Sequence, residues 1–313
     1  MRTILITGGT GLIGKALVQE LHKKNYSVII LTRDIKNKIG SEKTEYAAWD
    51  PAKGTIDADA VRRADGIIHL AGAGVMDKKW TAAYKKEILE SRTKSAALVI
   101  DCLRGSEHHV KVWLSASATG WYGPDRSPGH FFTEDEEADP SFLGEVCRQW
   151  EQSTVPAEGL GIRVCRLRTG IVLAPEGGAY AAFRTPLRFG IAAILSTGKQ
   201  MVSWIHIDDL CRMYIFALEN ELMIGSYNAV APRPVTNKTL ALTIAKAARG
   251  KFYLAVHVPA IVLKIMTGGR SIEVLKSVTA SSEKIKRAGF TFFYPGIEPA
   301  VADIEQKIKD RSG

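Results

Sequence analysis

The chain has 313 residues, of which 46% are apolar and 24% charged, and its formal net charge is +9. This composition is that of a soluble globular protein with one large α/β domain or two smaller ones, and it excludes a long disordered chain. The lysines and arginines are spread along the sequence without interleaved aromatic residues, so we expect no nucleic-acid partner. Glycines break the opening apolar run too early for a secretory leader or a membrane span, and we expect a cytoplasmic protein without a membrane partner.

The cysteines point to the same compartment. Cys102, Cys147, Cys165 and Cys211 form no Cys-x-x-Cys pair. In a chain of this length, such a scatter predicts reduced thiols rather than disulfides.

Alternating apolar runs and helical periodicity predict a doubly wound parallel sheet. The run from Thr3 to Thr7 ends in glycines, and Leu12, Leu17 and Leu21 follow at helical spacing, which predicts a strand, a tight turn and a helix. The segments that predict the next strands are 27–32, 66–71, 110–114 and 162–167. Strands that alternate with helices in this way are typical of the α/β Rossmann fold.

This alternation ends near residue 170, and we expect a smaller C-terminal α+β lobe after it. The loop, strand and helix patterns of this part are 175–178, 196–198, 227–230, 240–248, 259–266 and 298–309. The chain is expected to leave the sheet and return to it. We therefore expect residues 1–170 with about 202–232 to form the cofactor-binding domain, and residues 171–201 with 233–313 to form a small substrate lobe.

A glycine-rich turn lies between the first predicted strand and helix. The segment 7–14 has the pattern Thr-Gly-x-x-Gly-x-x-Gly. Gly8 permits a tight turn, Gly11 lets the backbone approach a pyrophosphate, and Gly14 allows close packing of helix on strand. A plain turn is the other interpretation, but the flanking strand and helix favour a dinucleotide site at the helix N-terminus. The cofactor contacts predicted here are Gly8, Thr10, Gly11, Leu12 and Ile13.

Part of the same segment also resembles the phosphate-binding loop of nucleotide triphosphatases. The residue after Lys15 is Ala16, where that mechanism requires a serine or threonine hydroxyl on magnesium. A nucleotide triphosphatase is therefore disfavoured.

The end of the second predicted strand distinguishes NAD from NADP. An NAD site carries an acidic residue about 20 residues beyond the turn, where it binds the ribose 2′-hydroxyl. This chain has Thr32 and Arg33 there, with Asp34 one place later. A guanidinium is always charged and donates two parallel hydrogen bonds, which suits a 2′-phosphate. We therefore predict NADP (NADPH) as the cofactor, with Thr32 and Arg33 as contacts; a solvated surface arginine is the alternative for Arg33.

Further segments carry a family resemblance. They are IIHLAG at 67–72, SASATGWYG at 115–123, RLRTGIVL at 166–173 and WIHIDDL at 204–210. With the glycine turn, they resemble the extended short-chain dehydrogenases/reductases, and more narrowly an atypical NAD-dependent epimerase/dehydratase-like branch. Members of that branch are described as nucleoside-diphosphate-sugar epimerase-like or cell-division-inhibitor-like proteins.

The resemblance implies further cofactor contacts. Leu70, Ala71 and Gly72 would line the adenosine-ribose side of the cofactor. Ser115 and Ala116, with Ser117 after them, would end a strand beneath the nicotinamide. Glu87 would also face the nicotinamide. The last of these, Glu87, belongs to the segment Lys86-Glu87-Ile88.

Hydride transfer in this superfamily normally uses a Tyr-x-x-x-Lys pair on one helix face. The best ungapped match to the related Tyr-Gly-x-Ser-Lys-x-x-x-Glu segment of sugar epimerases is LGEVCRQWE at 143–151. Leu143 stands in place of the tyrosine and Cys147 in place of the lysine. A leucine cannot transfer a proton and a thiol cannot replace an ammonium group on ribose hydroxyls, so this alignment lacks the usual acid-base pair.

Nearby polar side chains are candidates to replace that pair. Tyr122 can donate a proton, Ser117 or Thr119 can hydrogen-bond a carbonyl oxygen, and Glu145 lies one helix face away. We predict Ser117 and Tyr122 as the catalytic residues. Each has a structural alternative, because Tyr122 can anchor a turn, Ser117 can end a strand, and Glu145 can be solvated.

Two other groups suggest different chemistry. Cys147 lies near a predicted helix start but has no evident base partner, so we expect a buried and inert thiol. His206 with Asp208 and Asp209 lacks a known metal-binding spacing, and the resemblance makes this segment a join between strand and helix. We predict no metal.

Two functions remain open. The first is an NADP-dependent oxidoreductase or epimerase for a small substrate, nucleotide-linked or not, held between the Rossmann domain and the C-terminal lobe. The second is a non-catalytic NADP(H)-binding sensor that signals to a partner, which the absent tyrosine and lysine favour. The sequence leaves the substrate and the oligomeric state open.

Overall fold

A computed structural model of the chain describes residues 2–311. The strands are β1 (Thr3–Thr7), β2 (Ser27–Thr32), β3 (Thr44–Asp50), β4 (Thr55–Ile56), β5 (Gly66–His69), β6 (Val112–Ala118), β7 (Arg163–Thr169), β8 (Ile171–Ala174), β9 (Ile191–Leu195), β10 (Met201–Val202), β11 (Trp204–His206), β12 (Gly225–Ala229), β13 (Val235–Thr236) and β14 (Leu254–Val258). The helices are α1 (Leu12–Lys23), α2 (Ala58–Arg62), α3 (Ala82–Arg104), α4 (Phe142–Gln152), α5 (Gly178–Arg184), α6 (Ile207–Glu219), α7 (Asn237–Arg249), α8 (Ala260–Thr267), α9 (Ser271–Leu275), α10 (Glu283–Arg287) and α11 (Ile297–Asp310). Short 3₁₀ helices occur at Thr119–Trp121, Val155–Leu160, Thr185–Phe189 and Gly268–Arg270.

The central sheet has eight strands in the order β12-β7-β6-β5-β1-β2-β3-β4. Its pairs are parallel except for the last one, β3 with β4. From β1 the chain continues to β2 on one side, and it later returns to β5 on the other side. This reversal of strand order opens a crevice beyond the carboxyl end of β1, where ligands bind in open α/β sheets. The predicted doubly wound parallel sheet is confirmed.

Alternate residues of the central strands bury opposite faces of the sheet. Ile4 and Ile6 of β1 pack with Leu17 of α1 in one core cluster, which also contains α6. Leu5, between them, packs into a second cluster with Val99 of α3. Because a parallel sheet of this kind is covered by helices on both faces, its strands read as continuous apolar runs in the sequence.

The C-terminal lobe has a core of its own beside the sheet. Trp204, Leu240, Ile244 and Val301 belong to this third cluster. Two-stranded sheets, β9 with β14 and β10 with β13, accompany its helices. The predicted smaller α+β lobe is confirmed.

Helix α8 forms where a helical pattern was predicted, but its apolar side chains are mostly exposed. Leu263 is buried, whereas Ile261, Ile265 and Met266 are 64%, 76% and 66% exposed. The helix therefore does not pack as an amphipathic helix against the lobe. Within residues 2–311, no helix combines the length and the apolar composition needed to cross a bilayer.

Candidate functional site

The glycine turn and the loop after β5 meet at the carboxyl edge of the sheet. Gly8 has a φ of +71°, and a Cβ added there would lie 2.8 Å from the carbonyl carbon of Leu70. The Thr7 hydroxyl accepts hydrogen bonds from the backbone N–H groups of Leu70 and Ala71, both at 3.1 Å. Only a glycine fits this turn without strain, because an L side chain would suffer both the left-handed backbone and the clash.

Helix α1 begins directly after this turn with free backbone donors. Its N-cap, Gly11, has an extended backbone, and among residues 2–311 no side chain caps it. The first turn carries no acidic residue. Such an N-terminus attracts an anion, because its N–H groups lack partners and the helix dipole is positive there. Of the predicted contacts, Thr10 and Gly11 are exposed, and Leu12 and Ile13 are half-buried against the core.

Arg33 follows β2 as an exposed cation. Its side chain forms no hydrogen bond or ion pair with any residue of the 2–311 range. The neighbouring carboxylate of Asp34 instead accepts a hydrogen bond from Asn37 Nδ2 at 3.1 Å. Thr32 is 9% exposed, and its hydroxyl lies 3.3 Å from the backbone nitrogen of Asp34. The guanidinium is thus free to meet an anion, while the adjacent acid is engaged.

The other contacts implied by the resemblance lie on the opposite side of β1. Leu70 and Ala71 are half-buried and Gly72 is exposed after β5. Ser115 is buried within β6, and its hydroxyl donates to the Ala116 carbonyl at 3.0 Å. Glu87 lies on α3 with a half-exposed side chain and accepts a hydrogen bond from Lys78 at 3.3 Å.

Leu143 and Cys147 lie one turn apart on α4 and face the end of β6. A Cβ added at Gly120 would lie 3.4 Å from Leu143 Cβ and 3.5 Å from Cys147 Sγ. The thiol lies 3.7 Å from the Ala118 carbonyl oxygen, to which it donates. Cys147 is buried as expected, and burial raises the pKa of its thiol to about 12. The helix face next to the strand end therefore presents an aliphatic side chain and a neutral thiol.

Ser117 is held in a buried network centred on Glu151. The Ser117 hydroxyl donates to Glu151 Oε1 at 2.7 Å. Arg168 donates to both carboxylate oxygens, at 2.8 and 3.0 Å, and Ser226 donates to Oε2 at 2.8 Å. Ser117 is 3% exposed. Its hydroxyl is thus directed into the protein at this carboxylate.

Tyr122 joins the same network from the other side of Arg168. Its hydroxyl donates to Asn228 Oδ1 at 2.8 Å and accepts from Arg168 Nη1 at 3.1 Å. The side chain is 1% exposed, and burial raises the pKa of the phenol to about 12. The two predicted catalytic residues are thus connected through Glu151 and Arg168, and both hydroxyls donate to buried acceptors.

The other two replacement candidates differ from each other. Hydrogen bonds from Arg148 and then Gln149 lower the pKa of Glu145 to about 2, so this carboxylate is ionised at neutral pH. Thr119, in the 3₁₀ helix after β6, is half-buried, and its hydroxyl has no hydrogen bond within the described part of the chain. Thr119 therefore keeps a free donor at the end of β6.

A cavity of about 160 Å³ lies beside Leu143, between the start of α4 and the C-terminal lobe. Its wall combines aromatic and aliphatic side chains with Lys85 and Glu273. The apolar residues that line it are Trp80, Phe142, Leu143 and Ile272. The sequence did not point to this pocket, because its walls come from segments far apart in the chain.

His206 lies in a cluster with two carboxylates. Its Nε2 is 3.1 Å from Asp303 Oδ2, and its Nδ1 is 3.8 Å from Asp208 Oδ2. These groups have the composition of a metal site. The Lys307 ammonium, however, contacts both carboxylates, at 2.6 and 2.8 Å. A protein cation thus already pairs with both acids, at the predicted join between β11 and α6.

These features define a Rossmann-like α/β protein with a glycine turn at the switch point of its sheet and a lobe beside it. The sequence profile described as the NAD dependent epimerase/dehydratase family matches residues 4–230. A profile described as a domain of unknown function, DUF1731, matches residues 258–304. The chain belongs to the NAD-dependent epimerase/dehydratase family, as its motifs indicated.

Similar proteins extend over the whole chain. An epimerase family protein from Staphylococcus aureus strain MRSA252 is 34% identical over 310 residues, which cover 98% of this chain and 100% of that protein. The crystal structure of the human epimerase family protein SDR39U1 with NADPH has a TM-score of 0.85 at 27% identity, covering 97% and 99% of the two chains. A nucleoside-diphosphate sugar epimerase from Corynebacterium glutamicum has a TM-score of 0.75 at 30% identity, covering 99% of this chain and 61% of that one.

Proposed function

We propose that the crevice at the carboxyl ends of β1 and β5 binds NADPH. The exposed Arg33 carries this proposal, because it is a free cation at the end of β2 while Asp34 is engaged by Asn37. The free N-terminus of α1 suits the pyrophosphate, and the human relative was crystallised with NADPH. A charged hydrogen bond to the 2′-phosphate favours NADPH over NADH.

Arg33→Asp tests the choice of cofactor. Loss of a charge-assisted contact costs about 1.5–3 kcal/mol, which weakens NADPH binding roughly 10- to 150-fold. NADH binding is not weakened, because NADH has no 2′-phosphate and its ribose 2′-hydroxyl can donate to an acid at this position. Arg287→Asp, which makes the same charge change at another exposed arginine, is the control. Isothermal titration calorimetry measures the affinities, and equal losses for both cofactors would refute the assignment.

We further propose that the chain is an oxidoreductase or epimerase for a small substrate, nucleotide-linked or not, in the cavity beside Leu143. The bound cofactor would supply hydride-transfer chemistry: as NADPH it would reduce a carbonyl substrate, and as NADP⁺ it would take a hydride from an alcohol carbon and return it in an epimerisation. Trp80, Phe142 and Ile272 of the cavity wall would exclude water from it. Of the three candidate hydroxyls, that of Thr119 is left to donate to a substrate carbonyl, since the hydroxyls of Ser117 and Tyr122 already donate to buried acceptors.

A non-catalytic NADP(H) sensor is the second candidate. The observation that favours it is that Leu143 and Cys147 lie against Gly120, at the positions where the family alignment expects a tyrosine and a lysine. In this case the cofactor binds and alters the contacts of a partner, but no hydride leaves it.

Turnover distinguishes the two functions. Purified protein is incubated with NADPH and a panel of carbonyl compounds, with oxidation followed by loss of absorbance at the nicotinamide band. In parallel it is incubated with NADP⁺ and nucleotide sugars, and epimerised sugars, which form without net oxidation, are detected by chromatography. Substrate-dependent oxidation or epimerisation that Thr119→Val reduces supports the enzyme. NADPH binding without turnover across the panel supports the sensor.

A further inference from the structure

Arg92, on α3, is a buried cation without an acidic partner. The residue is 8% exposed. Its Nη1 donates to the carbonyl oxygens of Ala73, at 3.0 Å, and Ile88, at 2.8 Å. Within residues 2–311, no carboxylate forms an ion pair with Arg92, and its Nε and Nη2 make no hydrogen bond. These two nitrogens are therefore donors left for solvent or a ligand.

The guanidinium lies between the loop after β5 and helix α4. A Cβ added at Gly72 would lie 2.9 Å from Arg92 Cζ. On the other side, Cζ lies 4.7 Å from the ring centre of Trp150. Burial and then the charge of Glu151 raise the pKa of the Cys147 thiol. The charge of Arg92 is the first of the influences that lower it. Trp150 lies three residues after Cys147 on α4, so Arg92 packs against the helical turn that carries the position the alignment assigns to the family lysine.

A second cation near Cys147 is already compensated. Lys276 of the C-terminal lobe pairs with Glu273 at 2.7 Å and donates to the Tyr122 carbonyl. Lys85, in the wall of the cavity, lies over the rings of Trp80 and Phe142, 5.8 and 4.9 Å from their centres. Arg92 is the buried cation of this region whose donors are left for a ligand.

We propose that Arg92 takes the place of the missing lysine and donates hydrogen bonds to the nicotinamide-ribose hydroxyls of bound NADPH. This rests on the proposed NADPH site. An arginine side chain stays protonated, so Arg92 binds and positions the cofactor and transfers no proton. The proposal also accounts for the neutral residue at Cys147, because a lysine there would place a second cation against Arg92.

The test separates the two halves of the cofactor. Arg92→Gln and the conservative Arg92→Lys are compared with the wild type by calorimetry, with NADPH and with 2′,5′-ADP, which lacks the nicotinamide ribose. Arg104→Gln, at an exposed arginine on the same helix, is the control. We expect Arg92→Gln to weaken NADPH roughly 10-fold or more, as for the loss of a charged hydrogen bond, with 2′,5′-ADP unchanged. Arg92→Lys, which keeps the charge, should lose less.

Each other outcome overturns a defined statement. NADPH binding by Arg92→Gln at the wild-type affinity would overturn the role of Arg92 and leave the NADPH site standing. Equal losses of NADPH and 2′,5′-ADP in both variants would also overturn it, because Arg92 would then only support the loop after β5. Absence of binding of either ligand to the wild type would overturn the NADPH site itself.

Discussion

Replacement of Glu151 by glutamine tests the buried network that holds Ser117 and Arg168. Glu151 and Arg168 side chains are 8% and 4% exposed, so the ion pair has little access to water. Glutamine keeps the shape of glutamate but removes the charge. Glutamine has an amide NH₂ group, a donor, in place of one carboxylate oxygen. In place of Oε2, this NH₂ group would face the donors of Arg168 and Ser226.

The expected cost follows from the charge left behind. Arg168 would keep Tyr122 and the Glu134 carbonyl as neutral partners, at 3.1 and 3.0 Å. Removing one partner of a buried ion pair destabilises a protein by about 3–5 kcal/mol. We therefore expect Glu151→Gln to lower the free energy of unfolding by that amount, and Tm by roughly 6–20 °C if each kcal/mol shifts Tm by about 2–4 °C.

The assay is chemical denaturation followed by circular dichroism, with a thermal scan in parallel. Glu145→Gln is the control on the same helix, because Glu145 and its partner Arg148 are 41% and 47% exposed. An exposed pair of this kind contributes less than about 1 kcal/mol. If Glu151→Gln lowered the free energy of unfolding no more than Glu145→Gln, Glu151 and Arg168 would not form a buried ion pair in solution.

Two further predictions concern the turn and the sheet. Gly8→Ala should lower the free energy of unfolding in urea more than Gly54→Ala. A left-handed backbone costs both variants about 1–2 kcal/mol, but only at Gly8 does the new methyl group meet the Leu70 carbonyl. Equal losses would contradict that contact. Burial and then the charge of Arg92 lower the pKa of His69 from 6.5 to about 3. The unfolded chain therefore takes up a proton there as the pH falls below 6.5 while the folded protein does not, so stability falls towards pH 3, by up to about 1.4 kcal/mol per pH unit. His69→Gln should reduce this slope in unfolding measured from pH 7 to pH 4, and an unchanged slope would show that His69 is not buried as a neutral imidazole.

The parts of the fold with strong local patterns were predictable. β1 and β2 occupy the predicted residues, because their apolar runs end at glycines or polar residues. β3 was not predicted, because its exposed and buried residues alternate and polar residues are among them. It lies near the edge of the sheet, with only the short β4 on its outer side. β6 extends beyond the predicted 110–114 to Ala118, because small residues there pair with β7 rather than forming an apolar run.

The candidate site was predictable from the sequence where a local motif marks it, but not where it depends on residues far apart in the chain. The glycine turn and Arg33 follow from spacing alone. Tyr122 and Asn228 are 106 residues apart, and no local pattern joins them. Arg92 lacked any motif, and its importance depends on Gly72 and Trp150, which only the fold brings to it.

We propose that the crevice holds NADPH through the glycine turn and Arg33. Titration of the purified wild-type protein with NADPH and with NADH, at the same ionic strength, measures it most directly. We predict saturable binding of NADPH with a Kd at least about 10-fold below that of NADH, the ratio that one charged hydrogen bond provides. Equal affinities, or tighter binding of NADH, would show that Arg33 does not select NADPH.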